Sequence, residues 1–401
     1  MVRRALLGAL LLSCNVESKA GDTGGVALGD AGACPAALAM ISSDRSSSNL
    51  SVLDLDGKVV SASVLSSGSR PVGISQVLSG DVVLPQDRQS ANIVLIDRFP
   101  NAVLTFIDRT SGAIEGQMSV ATGFPSNPHD YLSLSPGRAY VTRYGDNGNA
   151  GKEPFDTGSD VLIIDPQSRT IKGSVPFPKQ GALLPRPDRM LALPQHNQVW
   201  VTLQRFNVNF RELGDSELAA IDTRNDALRW IVPLPGARNC GAMALSPSGR
   251  YAVVACSGPL IDNRTNTAGS MLVVLDTATS PPTVARQILP SSDLDSVFAQ
   301  GVAFANENTV VGTTYGDKVS GKTDRIFVAN IDTGAQRMAY DTKSAFVLGD
   351  NVRCLGACAD RCFVPDAAQG LLHVVRADGS IERTVPGAAA FGLPPRSLGL
   401  L

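Results

Sequence analysis

A short β-rich run ending in aspartate recurs seven times along the 401-residue chain, and a repeat of this kind leaves few folds open. The runs are Ser51-Val-Leu-Asp54, Thr105-Phe-Ile-Asp108, Leu162-Ile-Ile-Asp165, Ala219-Ala-Ile-Asp222, Val273-Val-Leu-Asp276, Ala329-Asn-Ile-Asp332 and Val375-Arg-Ala-Asp378. Successive aspartates are 54, 57, 57, 54, 56 and 46 residues apart. Most are followed by a turn and a second β-rich run, as in Arg109-Thr-Ser-Gly-Ala-Ile-Glu115. A third and fourth run flank another turn, clearest in Ala242-Met-Ala-Leu-Ser-Pro-Ser-Gly-Arg-Tyr-Ala-Val-Val254. Four strands in each of seven units predict an all-β chain folded as a single seven-bladed propeller. The aspartates terminate strands in every unit, so they read as turn formers rather than paired carboxylates for acid–base chemistry.

The two ends of the repeat are complementary. The last unit has strands near 371–376, 381–385 and 397–401 and lacks a fourth, whereas the run Ala36 to Ile41 is a fourth strand without the first three. That run leads through Asp44-Arg45 into the strand ending at Asp54, just as Ile93 to Ile96 leads through Asp97-Arg98 into the strand ending at Asp108. Pairing the N-terminal strand with the last unit closes the ring and removes two open sheet edges. Ala139-Tyr-Val-Thr-Arg143 and Val199-Trp-Val-Thr-Leu203, with the preceding turns Ser133-Leu-Ser-Pro-Gly137 and Ala244-Leu-Ser-Pro-Ser-Gly249, resemble the YVTN-type seven-bladed propellers. The resemblance spans roughly residues 36–401 and implies an exported or surface protein, without naming a ligand.

Ahead of the repeats, Met1-Val-Arg-Arg4 is a basic start and Ala5 to Leu12 a short apolar run, too short for a bilayer-spanning helix of about 20 residues. Leu11-Leu-Ser-Cys14 resembles the lipobox of bacterial lipoproteins, which implies cleavage after residue 13 and lipid on Cys14. Asn15, rather than Asp, follows that cysteine, which favours the outer membrane. Residues 14–33 carry five glycines and no aromatic, as expected of a tether, and the propeller then occupies 34–401. Net charge is −2 at pH 7, which gives no global attraction to nucleic acid.

Setting Cys14 aside leaves six cysteines, an even number suited to disulfides in an exported chain. Cys240 and Cys256 flank a hairpin centred on Ser248, with Leu245 placed opposite Tyr251, and are predicted to bridge. Cys34, Cys354, Cys358 and Cys362 allow three connectivities, among which the sequence does not choose. The three-residue spacings within 354–362, without a nearby histidine, give a poor metal motif, so neither metal nor cofactor is expected.

Four long loops, at 144–160, 205–216, 257–270 and 315–324, fall on one face of such a propeller. Two begin alike, as Tyr144-Gly-Asp146 and Tyr315-Gly-Asp317, so Arg143, Tyr144, Asp146, Arg205, Tyr315 and Asp317 are the candidate binding rim. The same triads also read simply as repeated turns. Starts of the third strands place Val72, His129, Asp188, Cys240, Gln300, Cys354 and Arg396 at the channel mouth. Of these, His129, Asp188, Gln300 and Arg396 are the candidates for contacting a polar ligand.

No catalytic motif is present, so the expectation is a monomeric, lipid-anchored envelope propeller that binds a protein or glycan without catalysis. The alternative is a hydrolase similar to the lactonase-type propellers, using His129, Asp188 and Arg396 at the mouth.

Overall fold

The computed structural model describes residues 34–88, 92–262, 264–348, 351–386 and 392–401. Cys14 and the tether at 15–33 lie outside the described residues. Seven four-stranded antiparallel sheets form a ring, with one extra two-stranded hairpin at Leu260–Ile261 and Arg264–Thr265. From the axis outwards, blade one is Val82–Val83, Asn92–Asp97, Val103–Asp108 and Ile114–Ser119. The innermost strands of blades two to six are Pro128–Ser135, Pro187–Leu193, Cys240–Leu245, Val297–Phe304 and Arg353–Cys354.

Blade seven closes the ring from both ends of the chain. Its innermost strand is Pro395–Leu400, and Ala37–Ser43 pairs beside it, Leu38 opposite Leu400 and Met40 opposite Leu398. The repeat seen in the sequence is therefore offset by half a blade. A sequence unit starts at the third strand of one blade and ends at the second strand of the next. Each blade is thereby stitched to its neighbour by continuous chain.

Burial explains why the runs are so apolar. Hydrophobic side chains form seven clusters, one between each pair of adjacent blades. A middle strand therefore buries both of its faces, and strict alternation disappears. In Gln198–Leu203 every residue is buried, with Val199, Val201 and Leu203 packed towards blade two and Trp200 towards blade four. Each such side chain contributes about 1.5–3 kcal/mol of hydrophobic transfer. Outer strands such as Ala227–Pro233 are exposed or half-buried along their whole length.

The turn aspartates behave as turn formers in six units, Asp378 among them through the Ser380 N–H. Asp54, Asp108, Asp165, Asp222 and Asp276 each accept backbone N–H bonds from residues two to four positions on. In blade five the role belongs to Asn330, whose side-chain oxygen accepts from Asp332 and Thr333. Asp332 is thus two residues past the strand end, and Asp378 likewise lies in its turn, beyond Leu371–Val375.

Three disulfides are formed: Cys34–Cys358, Cys240–Cys256 and Cys354–Cys362. Cys240 and Cys256 are direct partners, and so are Cys354 and Cys362. Each pair ties an innermost strand to its neighbour. The register between Cys240 and the turn carries an irregularity, so Leu245 faces Ala252 and not Tyr251. Cys34–Cys358 joins residues 324 apart across the seam of the ring, worth about 6 kcal/mol by loop-closure entropy. Disulfides of this number suit an oxidising, exported location. No helix among the described residues is long and apolar enough to cross a membrane.

Candidate functional site

The innermost strands all start at one face, here called the upper face, and the long loops leave from the same face. A plug crosses the channel above a smaller lower cavity of about 270 Å³, lined by the ends of innermost strands such as Leu191, Leu245 and Phe304. Leu84 to Arg88 turns across the axis after the two-residue inner strand of blade one. The Gln86 side chain bonds the backbone of Met243 in blade four through both its amide nitrogen and, at 3.2 Å, its oxygen. The Gln86 backbone N–H in turn donates to Asp130 of blade two at 2.9 Å, and Asp130 also accepts from Met190 of blade three. Burial raises the Asp130 carboxyl to about 6 against the pull of Arg189 and these N–H groups.

The upper end stays open as a cavity of about 820 Å³. It is lined by Arg45, Asp81, Arg98, Arg189 and Arg396, with Phe99, Leu260, Tyr315, Phe346 and Leu348 among its apolar walls. Arg98 pairs with Asp81 through Nη2 at 2.5 Å and Nε at 3.1 Å. Arg189 lies 3.8 Å from Asp188 and donates to the His129 carbonyl at 2.8 Å. Arg396 donates from Nε to the Ser43 carbonyl at 2.6 Å, and burial, then the neighbouring Arg45 charge, pull its guanidinium below its ordinary value.

Beside the cavity, His129 and Asp188 meet with Nδ1 and Oδ1 2.6 Å apart. Asp188 is held below the usual carboxylate range: burial pushes it up, but Arg189 and His129 outweigh burial. An ionised Asp188 can only accept, so Nδ1 of His129 carries the proton and Nε2 keeps a lone pair. Burial holds His129 below 6.5, with Arg98 and Arg189 adding to that and Asp188 opposing it. Tyr144 stacks flat on the imidazole, 4.2 Å between centroids, and donates its hydroxyl to Gln204 at 2.6 Å. Gln204 returns an N–H to Asp188 Oδ2 at 2.9 Å, closing the loop of contacts. Gln300 is engaged with Asn239, through its backbone carbonyl and its side-chain oxygen, both at 2.9 Å.

The expected rim divides. Arg143 is fully buried, bidentate to Asp160 at 2.8 and 2.7 Å, and also bonded to Thr122 and the Phe155 carbonyl. Arg205 repeats this one blade on, buried against Glu217 and the Pro178 carbonyl. Tyr144 is also buried, so these three brace the loops from beneath rather than facing a partner. Asp146 pairs with the exposed Lys179, and Asp317 accepts N–H bonds from Thr265, Val319 and Ser320 that tie two loops together. The shared Tyr-Gly-Asp is a turn with a steric reason for its glycine. A Cβ on Gly145 would meet the Pro125 carbonyl oxygen at 2.7 Å, and one on Gly316 that of Lys322 at 2.2 Å. Tyr315 alone of the six lines the cavity, stacked on Phe346 at 5.6 Å.

At the mouth, Val72 is misplaced: it is 95% exposed in the segment ahead of blade one, whose inner strand is Val82–Val83. Cys240 and Cys354 are consumed in disulfides. The sequence reading missed Arg45, Arg98 and Arg189 as cavity residues. A signal existed, because Asp44-Arg45 and Asp97-Arg98 are matched passages, and both fall in upper-face hairpins of neighbouring blades.

No family model matches the chain, and no curated protein matches it. Solved structures match it in shape. A 6-phosphogluconolactonase-like protein of Bacteroides uniformis superposes with a TM-score of 0.58 at 10% identity, over 91% of this chain and 100% of that one. A similar protein of Bacteroides fragilis gives 0.55 at 8% identity, over 91% and 98%. Hydrazine synthase of Kuenenia stuttgartiensis gives 0.54 at 12% identity, over 86% and 96%. At such identities the likeness is one of fold.

Proposed function

We propose that this chain is an exported, lipid-anchored envelope propeller that binds a protein or glycan through its upper face without chemical turnover. The asymmetry of the channel carries the reading: below the Gln86 plug the cavity is about 270 Å³, whereas the upper end opens among long loops into one of about 820 Å³. Binding sites concentrate on loops held by a rigid scaffold. The position of Cys34 supports an anchor at Cys14. Cys34 bridges to Cys358 in the lower hairpin of blade six, so the chain enters the ring opposite the cavity. A membrane anchor on that side leaves the upper face unobstructed.

The test is in-cell photo-crosslinking from Val208 and Val319, which are 72% and 60% exposed in the long loops. One dominant envelope adduct, absent when the crosslinker sits on the lower face, is the expected result. Adducts from both faces alike would remove the reading. Labelling with an alkynyl fatty acid should mark the chain and fail in Cys14→Ser.

The His129–Asp188 pair favours one second reading, a hydrolase in which Nε2 of His129 takes a proton from water. Lactone hydrolysis that is lost in His129→Gln, with binding retained, would select it over the scaffold.

A further inference from the structure

We propose that the upper cavity is a receptor site for a ligand carrying at least two negative charges, held chiefly by Arg45 and Arg396. This rests on the upper face being the binding face and names the chemistry it takes.

Four arginines line the cavity, and Asp81 is the one carboxylate among its lining residues. Asp81 neutralises Arg98. Arg189 has Asp188, which it shares with His129. Arg45 and Arg396 form no ion pair among the described residues, and they repel each other closely enough for Arg45 to depress Arg396. The nearby carboxylate, Asp44, is held by the N–H and hydroxyl groups of Ser46 and Ser47, stays ionised and offsets part of this charge through its pull on Arg396. Lys318 adds a further cation at the edge, 5.9 Å from the Phe346 ring centre. Arg45, Arg396 and Lys318 set against Asp44 therefore leave a net of two positive charges in a concave site, with Arg396 half-buried, where the field is concentrated.

The fold also fixes these groups. Arg45 has φ of 74°, a strained value for a side-chain-bearing residue, at the tip of the hairpin between Ala37–Ser43 and Ser48–Asp54. That hairpin lies flat on Gly80: a Cβ there would sit 2.1 Å from the Arg45 carbonyl oxygen. Ser43 bonds the Gly80 carbonyl at 2.7 Å and, through its own carbonyl, holds Arg396. The two cations come from opposite ends of the chain and are pinned by one hairpin. Tyr315, Phe346, Leu260 and Leu348 give the ligand an apolar wall opposite the charges. A volume of about 820 Å³ lies within the range of small-ligand pockets, roughly 300–1,000 Å³.

The ligand chemistry has two sources, a free polycarboxylate or the acidic residues of a glycan chain. Calorimetric titration of the full-length chain in detergent with citrate and with a galacturonate tetramer separates them. Binding of at least one probe is expected, falling at least tenfold in Arg396→Gln and in Arg45→Gln. Arg211→Gln, an exposed arginine paired with Asp262, serves as the control and should bind normally. Preference for citrate names a free acid, and preference for the tetramer names a glycan. Binding of neither probe, or equal binding by wild type and Arg45→Gln/Arg396→Gln, overturns the inference. Upper-face crosslinks that persist while neither probe binds would retain the upper-face reading and discard this one. Probe binding without upper-face crosslinks would do the reverse.

Discussion

Arg143 and Arg396 both sit near the upper face, and the sequence made each a candidate for contacting a ligand. Arg143 is sealed beneath its loop with two carboxylate contacts, a hydroxyl and a carbonyl, so every face of the guanidinium is used internally. Arg396 has a single carbonyl partner and a second arginine as its neighbour. The first arrangement trades desolvation for complete pairing and stiffens the loop. The second leaves charge unspent in a cavity. A binding site differs from a brace, on this view, by what the fold leaves unneutralised.

Breaking the brace should have the largest effect. Arg143→Ala abandons the buried Asp160 carboxylate, and denaturant unfolding should show a loss of about 3–5 kcal/mol. If the variant unfolds within about 1 kcal/mol of wild type, Arg143 is not a brace. The channel plug is a second fully paired site. Gln86→Ala leaves the Met243 N–H and carbonyl without their partner, and should cost about 1–3 kcal/mol by the same assay. Arg396→Gln should change stability by less than about 1 kcal/mol, because it removes repulsion along with one hydrogen bond. Its effect belongs to ligand binding, and a large drop in melting temperature would erase the contrast with Arg143.

The smallest effect concerns His129, which faces Asp188, Arg189, Arg98 and the stacked Tyr144. Its folded pKa lies below the 6.5 of the unfolded chain, so the unfolded state takes up a proton first as pH falls. The His129 contribution to stability is full above pH 6.5 and declines below it. Unfolding measured from pH 7.5 to 5 should show a steeper acid loss in wild type than in His129→Gln. Parallel curves would mean that the imidazole is not held neutral by its surroundings.

Legibility followed the range of the interaction. The Cys240–Cys256 bridge was readable because both residues flank one hairpin. Cys354–Cys362 has the same construction, but Cys358 between them left the choice open until Cys34 was seen to reach it across the seam. Arg143 and Tyr144 stand at a loop entrance and read as surface. Their burial depends on Asp160 and His129 from neighbouring strands of blade two and on Gln204 from blade three.

The sequence by itself determined the all-β class, the seven blades and closure by the N-terminal strand. Strand pattern and turn chemistry repeat locally, and a ring is the way for seven such units to bury both faces of each sheet. Only the tertiary structure decided which arginines are neutralised, where the channel is plugged and where the two unpaired cations meet. The plug joins residues of different blades, the buried arginines meet their carboxylates across neighbouring strands of one blade, and Arg45 meets Arg396 because blade seven is built from both ends of the repeat. Coulomb energy follows distance in space, on which sequence spacing is silent.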